Sequence, residues 1–174
     1  FPNMGRLSLN QIKGLRAGRY FRSNKDELYK SLKTDYDDAF SKILYIGNQL
    51  SVHGFNKTSI ETLGVLLANE GYQMIFTSNK KNQWLRMVDM IRTTILNAKK
   101  IDYILIDTYS TSSFWYAFFC SQIARFFCVK YIPILRGGDL PQKLKNNPKL
   151  CHRLFANAYR NVAPSGYLKQ AFEQ

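Results

Sequence analysis

Residues 101–141 read IDYILIDTYSTSSFWYAFFCSQIARFFCVKYIPILRGGDLP. The first apolar run, DYILIDTYS, is short and ends on Asp107 and a cluster of hydroxyls. The second, VKYIPILRGG, ends on Arg136 and two glycines. Between them lies SSFWYAFFCSQIARFF, long enough for a helix. A strand, a helix and a strand in that order predict a parallel pair joined by a crossover. Both strands are almost continuously apolar, as strands covered on two faces should be.

The same alternation extends outward in both directions. KILYIGN opens a strand from Lys42. TSIETLGVLLANEGY predicts a helix capped by Thr58 or Ser59, with Ile60, Leu63, Leu66 and Leu67 on its apolar side and Gly71 at its end. QMIFTSN is the next strand. QWLRMVDMIRTTILNAKK predicts a basic amphipathic helix with Leu85, Val88, Ile91 and Ile95 on one side. Beyond Pro141, PKLCHRLFANAYR reads as a helix, NVAPS as a short strand and GYLKQAFEQ as a last helix. The expected fold is α/β, a Rossmann-like doubly wound parallel sheet over residues 42–174. Residues 1–41 stand apart as a basic N-terminal extension. SLNQIKGLRAGRYF and SNKDELYKSLKTDYDDAF both predict helix there, the first interrupted by Gly14 and Gly18.

The chain has 174 residues and is 45% hydrophobic. It can bury a core without disulfides or a metal. Lys plus Arg number 25 against 12 Asp plus Glu, a formal charge of +13. That excess favours an anionic partner: nucleic acid, a phosphorylated small molecule or anionic lipid. A solvated basic surface is the plainer alternative. Cys120, Cys128 and Cys151 form no CxxC pair and read as reduced thiols of a cytoplasmic protein. His53 and His152 are far apart, so no metal site is expected. The opening residues do not read as a secretory signal. Gln122, Arg125 and Lys130 interrupt the greasiest stretch, which argues against a spanning helix.

In a doubly wound sheet, ligands bind outside the carboxyl ends of the strands. The first such loop, GNQLSVHGFNKTS, carries Asn48, His53, Gly54 and Lys57 before a helix N-terminus, where free N–H groups favour an anion. It matches neither a dinucleotide fingerprint nor a P-loop. A long loop turned by a glycine is the structural alternative. After the third strand, Asp107 and Thr108 lead a hydroxyl-rich run suited to a polyol or sugar. For Ser112 and Ser113 a helix cap is the plainer reading, whereas Asp107 fits either role equally. After the fourth, Arg136 offers a planar fork for phosphate or carboxylate. Gly137 and Gly138 permit positive φ and close backbone approach. Asp139 can accept from a hydroxyl. The alternative here is a Gly-Gly turn with a surface Arg–Asp pair.

Taken together, KILYIGN, SIETLGVLLANEGYQMIFTS, IDYILIDTYS, YIPILRGGDLP and RNVAPSGYLKQAF resemble the N-terminal, acceptor-side domain of retaining glycosyltransferases of the GT-B fold, the group 1 family. The last segment, a strand followed by Pro-Ser and a Tyr-Leu helix start, is the most specific. The resemblance implies transfer of a sugar from a nucleotide-sugar donor to a glycan or lipid-linked acceptor, as in bacterial surface polysaccharide or glycolipid synthesis. The nucleotide site would lie in a C-terminal donor domain. A chain stopping at Gln174 then reads as a truncated or separated half, inactive by itself. No cofactor of its own and no catalytic base are implied, since retaining enzymes of this fold are thought to react on one face through positioning and electrostatics.

The sequence departs from the family at two places. Arg136 stands where many relatives have a histidine, and Gly54 followed by Phe55 replaces paired glycines. The resemblance also implies a peripheral location at the inner membrane surface. There Lys80, Lys81, Arg86, Arg92, Lys99 and Lys100, with Trp84 and Met87, would meet anionic lipid. A core-facing helix with a solvated basic face is the plainer expectation for that segment. The alternative function is a non-catalytic basic Rossmann-like module binding nucleic acid or another anionic partner. No RNA-binding motif is visible, and the aromatics of FWYAFF and ARFF read as buried.

Overall fold

The computed structural model describes residues 20–22 and 41–173. Six strands form one sheet, in which every neighbouring pair runs parallel. They are β1 (Tyr20–Arg22), β2 (Lys42–Ile46), β3 (Gln73–Thr77), β4 (Tyr103–Thr108), β5 (Lys130–Leu135) and β6 (Asn161–Ala163). The helices are α1 (Ser59–Asn69), α2 (Gln83–Asn97), α3 (Phe114–Phe126), α4 (Leu140–Asn146), α5 (Pro148–Phe155) and α6 (Gly166–Glu173). Spatially the strands run β1-β6-β5-β4-β2-β3. The chain moves outward from β2 to β3, returns to the other side at β4, and then proceeds through β5 to β6. This is the expected doubly wound α/β sheet, and its order reverses between β2 and β4.

Side-chain alternation divides the core into two layers. Ile43, Tyr45, Tyr103, Leu105, Ile132 and Ile134 pack with Ile60, Leu63 and Leu67 of α1. Leu44, Ile46, Ile104 and Ile106 pack on the opposite side with Met90 of α2, Phe114 and Ala117 of α3, and residues of α4, α5 and α6. β4 is buried throughout, as a central parallel strand should be.

α1 follows its sequence closely. Thr58 and Glu61 form a capping box at its start. Ile60, Leu63, Gly64 and Leu67 are buried. Gly71 turns the chain toward β3 with φ 97°.

Three expectations are corrected. Tyr20–Arg22, expected within a helical extension, form a strand paired with β6. Aromatic residues favour extended backbone, and this pairing covers an edge of β6 that would otherwise carry unpaired peptide groups. The remaining residues of 1–41 for which helix was expected lie outside the described residues, except Ser41. α2 does not bury Leu85, Val88 and Ile95. It buries Arg86, Met90 and Thr94, spaced four apart. Burial of Thr94 is possible because its hydroxyl donates to Met90 O at 2.7 Å. α3 is not buried all round either: Trp115, Phe119 and Phe126 are exposed beside buried Phe114, Tyr116 and Phe118.

One helix was not foreseen. α4 starts at Leu140, directly after the glycines, with Pro141 in its first turn. A proline there loses no hydrogen bond, because the first-turn N–H groups have no partner within the helix.

Cys120 and Cys151 are buried and Cys128 is exposed; none is in a disulfide. Burial pushes the Cys120 thiol up to about 12, which leaves it inert at neutral pH.

Candidate functional site at the carboxyl edge of the sheet

The reversal of strand order between β2 and β4 opens the sheet's carboxyl edge where Gly47 and Asn48 leave β2 and Asp107 and Thr108 end β4. Arg136 follows β5 on the next strand, with its N–H donating to Thr108 O at 2.8 Å. These chain ends gather three polar side chains. Tyr45 OH donates to Asp107 Oδ1 at 3.2 Å. Arg136 Nε donates to the same oxygen at 3.1 Å. Tyr45 and Asp107 are fully buried. Arg136 keeps 21% of its side chain accessible, so it is held by Asp107 without being sealed from solvent.

The second carboxylate oxygen, Asp107 Oδ2, is buried with no hydrogen-bond partner, and so is Asn48 Oδ1. A buried acceptor without a donor carries most of its desolvation penalty. Two such acceptors on adjacent strand ends mark an edge that favours donors. Gly47 is what allows the carboxylate to sit there. A Cβ at position 47 would lie 2.9 Å from Asp107 Oδ2 and 3.2 Å from Ile60 Cβ. Glycine is therefore required by close approach at this position.

Burial pushes the Asp107 carboxyl up, and the Arg136 cation with its hydrogen bond pulls it back only partly; the net direction is upward. Burial and the facing Asp107 carboxylate raise the Tyr45 hydroxyl well above its ordinary value. Tyr45 thus remains a hydrogen-bond donor at any physiological pH. From the other layer, Tyr116 OH donates to Asp107 O at 2.9 Å, which fixes the backbone of the same residue.

The first loop is built differently. A 3₁₀ turn at Ser51–His53 ends on Gly54, whose φ is 84°. His53 Nε2 lies 2.8 Å from Asn79 O, tying this loop to the one after β3. The α1 N-terminus already holds an anion, because the Glu61 carboxylate accepts from Thr58 N at 2.8 Å and Ser51 N at 3.2 Å. The Ser51 hydroxyl donates to it as well. Burial works to raise this carboxyl, but the hydrogen bonds from Ser51 and Thr58 outweigh it and hold it below the usual range. The helix end expected to favour a ligand anion is thus occupied by the protein's own carboxylate.

Asp107 and Arg136 therefore come together beside Gly47 at the β2 end, whereas the Asn48 carbonyl accepts from the Thr58 hydroxyl at 2.6 Å and Gly54 and Lys57 lie exposed on the loop leading to α1. The Thr108 side chain is turned inward, with its hydroxyl donating to Ile106 O at 3.1 Å. Gly137 adopts φ 88° with the Tyr109 ring 4.0 Å from its Cβ position, while Gly138 borders open space. Asp139 is exposed and precedes α4 without a side-chain capping bond. Ser113 stands at the N-cap position of α3, also without a side-chain capping bond.

Tyr45 and Gly47 were missed as site residues. Tyr45 sits inside the apolar run KILYI, where a tyrosine reads as core. Its hydroxyl has a role only because Asp107 lies on the neighbouring strand, and that pairing is a tertiary fact. Arg136 and Asp139 do not form the surface pair that was considered: Arg136 pairs with Asp107 instead.

No helix of the described residues is long and apolar enough to cross a membrane. Comparisons with protein-family models, with curated proteins and with solved structures returned no match.

Proposed function

We propose that this domain is the acceptor-binding half of a glycosyltransferase, acting with a domain that carries a nucleotide-sugar donor. The observation that carries the reading is the Tyr45–Asp107–Arg136 cluster at the switch point of the sheet. It combines a fixed, partly accessible guanidinium with a buried carboxylate whose Oδ2 has no hydrogen-bond partner. A donor phosphate offers oxygens to the guanidinium, and a sugar hydroxyl can accept from it.

The chemistry asked of these residues is orientation. Asp107 and Tyr45 hold Arg136, and Arg136 aligns an anionic or hydroxylated group at the cleft edge. In such a site the barrier is lowered by positioning and fixed charge rather than by a proton-transferring side chain. Exposed Lys80, Lys81, Arg92, Lys99 and Lys100 around α2 support a peripheral, cytoplasmic-face contact with anionic lipid, where a lipid-linked acceptor would reside.

The test is an NMR titration of the protein with a panel of oligosaccharides and nucleotide sugars. The reading expects saturable shifts confined to residues 45–48, 107–109 and 136–139. Salt-sensitive binding of nucleic acid with no glycan response would favour the alternative, a non-catalytic basic module. For the lipid contact, co-sedimentation with anionic vesicles is expected at low salt and should fade as salt rises.

A further inference from the structure

A cavity lies between the front halves of α2 and α3, on the sheet face opposite α1. Its volume is about 550 Å³, and Trp84, Met87, Trp115 and Phe119 form its apolar walls. Phe119 also borders a second cavity of about 450 Å³, lined by Ile91, Ile95, Ile123 and Phe126. The shared ring places the two end to end along the helix pair, and together they are called the α2/α3 channel. Helices of 15 and 13 residues give such a channel a length of about 20 Å at 1.5 Å per residue.

One end of the channel is polar. Gln83, Ser112 and Ser113 stand at its mouth with Arg86, and the Gln83 amide donates to the Ser112 hydroxyl. Arg86 is only 9% exposed. Its NH1 donates to Lys80 O at 3.0 Å and Lys81 O at 3.3 Å. Among the described residues no carboxylate lies within ion-pair distance of it. The nearest acid along the helix, Asp89, accepts from the Thr77 hydroxyl instead. A guanidinium removed from water without an anion is costly, and carbonyl partners offset that only in part. Lys80 and Lys81 are exposed beside it.

We propose that the α2/α3 channel binds a single-chain anionic amphiphile, with its head on Arg86 and its hydrocarbon chain along the walls to Phe126. The apolar walls supply the affinity of the chain. Arg86 supplies the preference for a charged head, through charge-assisted bonds from its remaining N–H groups. The head is a carboxylate or a phosphate monoester, both of which the planar fork accepts. This inference does not depend on sugar transfer, since it uses no residue of the Tyr45–Asp107–Arg136 cluster.

Both tryptophans of the chain, Trp84 and Trp115, line the channel, so their fluorescence reports occupancy directly. The experiment titrates the protein with dodecyl phosphate, laurate and the neutral dodecyl maltoside, each below its micellar concentration. Saturable one-to-one changes are expected for the two anions, and comparison of their affinities assigns the head group. Binding of the neutral amphiphile should be about ten- to hundredfold weaker.

Arg86→Gln should remove that preference, and Arg86→Lys should keep part of it. Phe119→Glu changes an exposed position, leaves Arg86 in place and should abolish binding of the anions while the circular dichroism spectrum stays unchanged. Equal affinity for neutral and anionic heads, binding that survives Phe119→Glu, or association with vesicles only would overturn the proposal.

Discussion

α1 and α2 pack on opposite faces of one sheet, and each carries apolar residues at helical spacing. In α1 the apolar side is the buried side: Ile60, Leu63 and Leu67 enter the core. In α2 Met90 enters the core, but Trp84, Leu85, Val88, Ile95 and Leu96 point outward. Leu85 is 62% exposed and Trp84 is 73% exposed, while Arg86 is buried. The difference lies in what each helix does with its polar groups. α1 has a Thr-x-x-Glu start whose carboxylate satisfies the loop before it, so nothing polar needs burying. α2 buries Arg86 because its guanidinium reaches back to the carbonyls of Lys80 and Lys81, and its apolar stem can pack. Periodicity locates an amphipathic helix, but local hydrogen bonding decides which side faces in.

The comparison can be broken by substitution. The largest loss is expected at the buried cluster between the strands. Asp107→Ala removes the acceptor of both Tyr45 and Arg136 and should cost about 3–5 kcal/mol by urea unfolding. A loss under about 1 kcal/mol would mean that Arg136 is solvated in both states.

Next comes the pair of leucines that distinguishes the helices. Leu67→Ala should cost about 2–5 kcal/mol, because Leu67 is fully buried. Leu85→Ala should stay within about 0.5 kcal/mol of the wild type. Equal costs would mean that α2 turns its apolar side inward after all.

Gly47→Ala should cost about 1–3 kcal/mol, since its Cβ would meet Asp107 Oδ2 and Ile60, neither of which can withdraw freely. Differential scanning calorimetry would show it as a lowered Tm with an unchanged fold.

The smallest effect is a pH slope of opposite sign at two carboxyls. Asp107 is raised above its ordinary 3.8. Its contribution to stability is therefore full below that value and is lost as pH rises through the folded-state pKa. Glu61 is held below its ordinary 4.5. Its contribution is full above that value and is lost as pH falls through its own folded-state pKa. Unfolding of Asp107→Asn and Glu61→Gln against the wild type, from neutral to acid pH, should give difference curves of opposite slope. Slopes of the same sign would contradict the assigned environments.

Much of the architecture was legible in the sequence. KILYI, QMIFT, YILIDT and KYIPIL are short apolar runs separated by helix-length segments, and that alternation admits few folds other than a parallel doubly wound sheet. β1 was not legible, because three residues set among polar neighbours carry little strand signal and gain their partner only from β6. Of the site, Asp107 and Arg136 could be found from their positions at strand ends. Their contact could not, because it depends on β4 and β5 pairing in the register Thr108 to Leu135. Tyr45 was hidden by its apolar neighbours. The α2/α3 channel was hidden by the ordinary rule that apolar residues at helical spacing face the core.

The central claim is that the ligand site lies at Arg136 and Asp107 rather than at the α1 N-terminus, where Glu61 already sits. The direct measurement is the affinity of the tightest glycan or nucleotide sugar from the titration panel for wild-type protein, Arg136→Ala and Lys57→Ala. The account predicts that Arg136→Ala weakens binding about ten- to hundredfold and that Lys57→Ala changes it by less than about twofold, as expected for an exposed lysine outside the site. The reverse order, with Lys57→Ala causing the loss and Arg136→Ala binding like wild type, would contradict it.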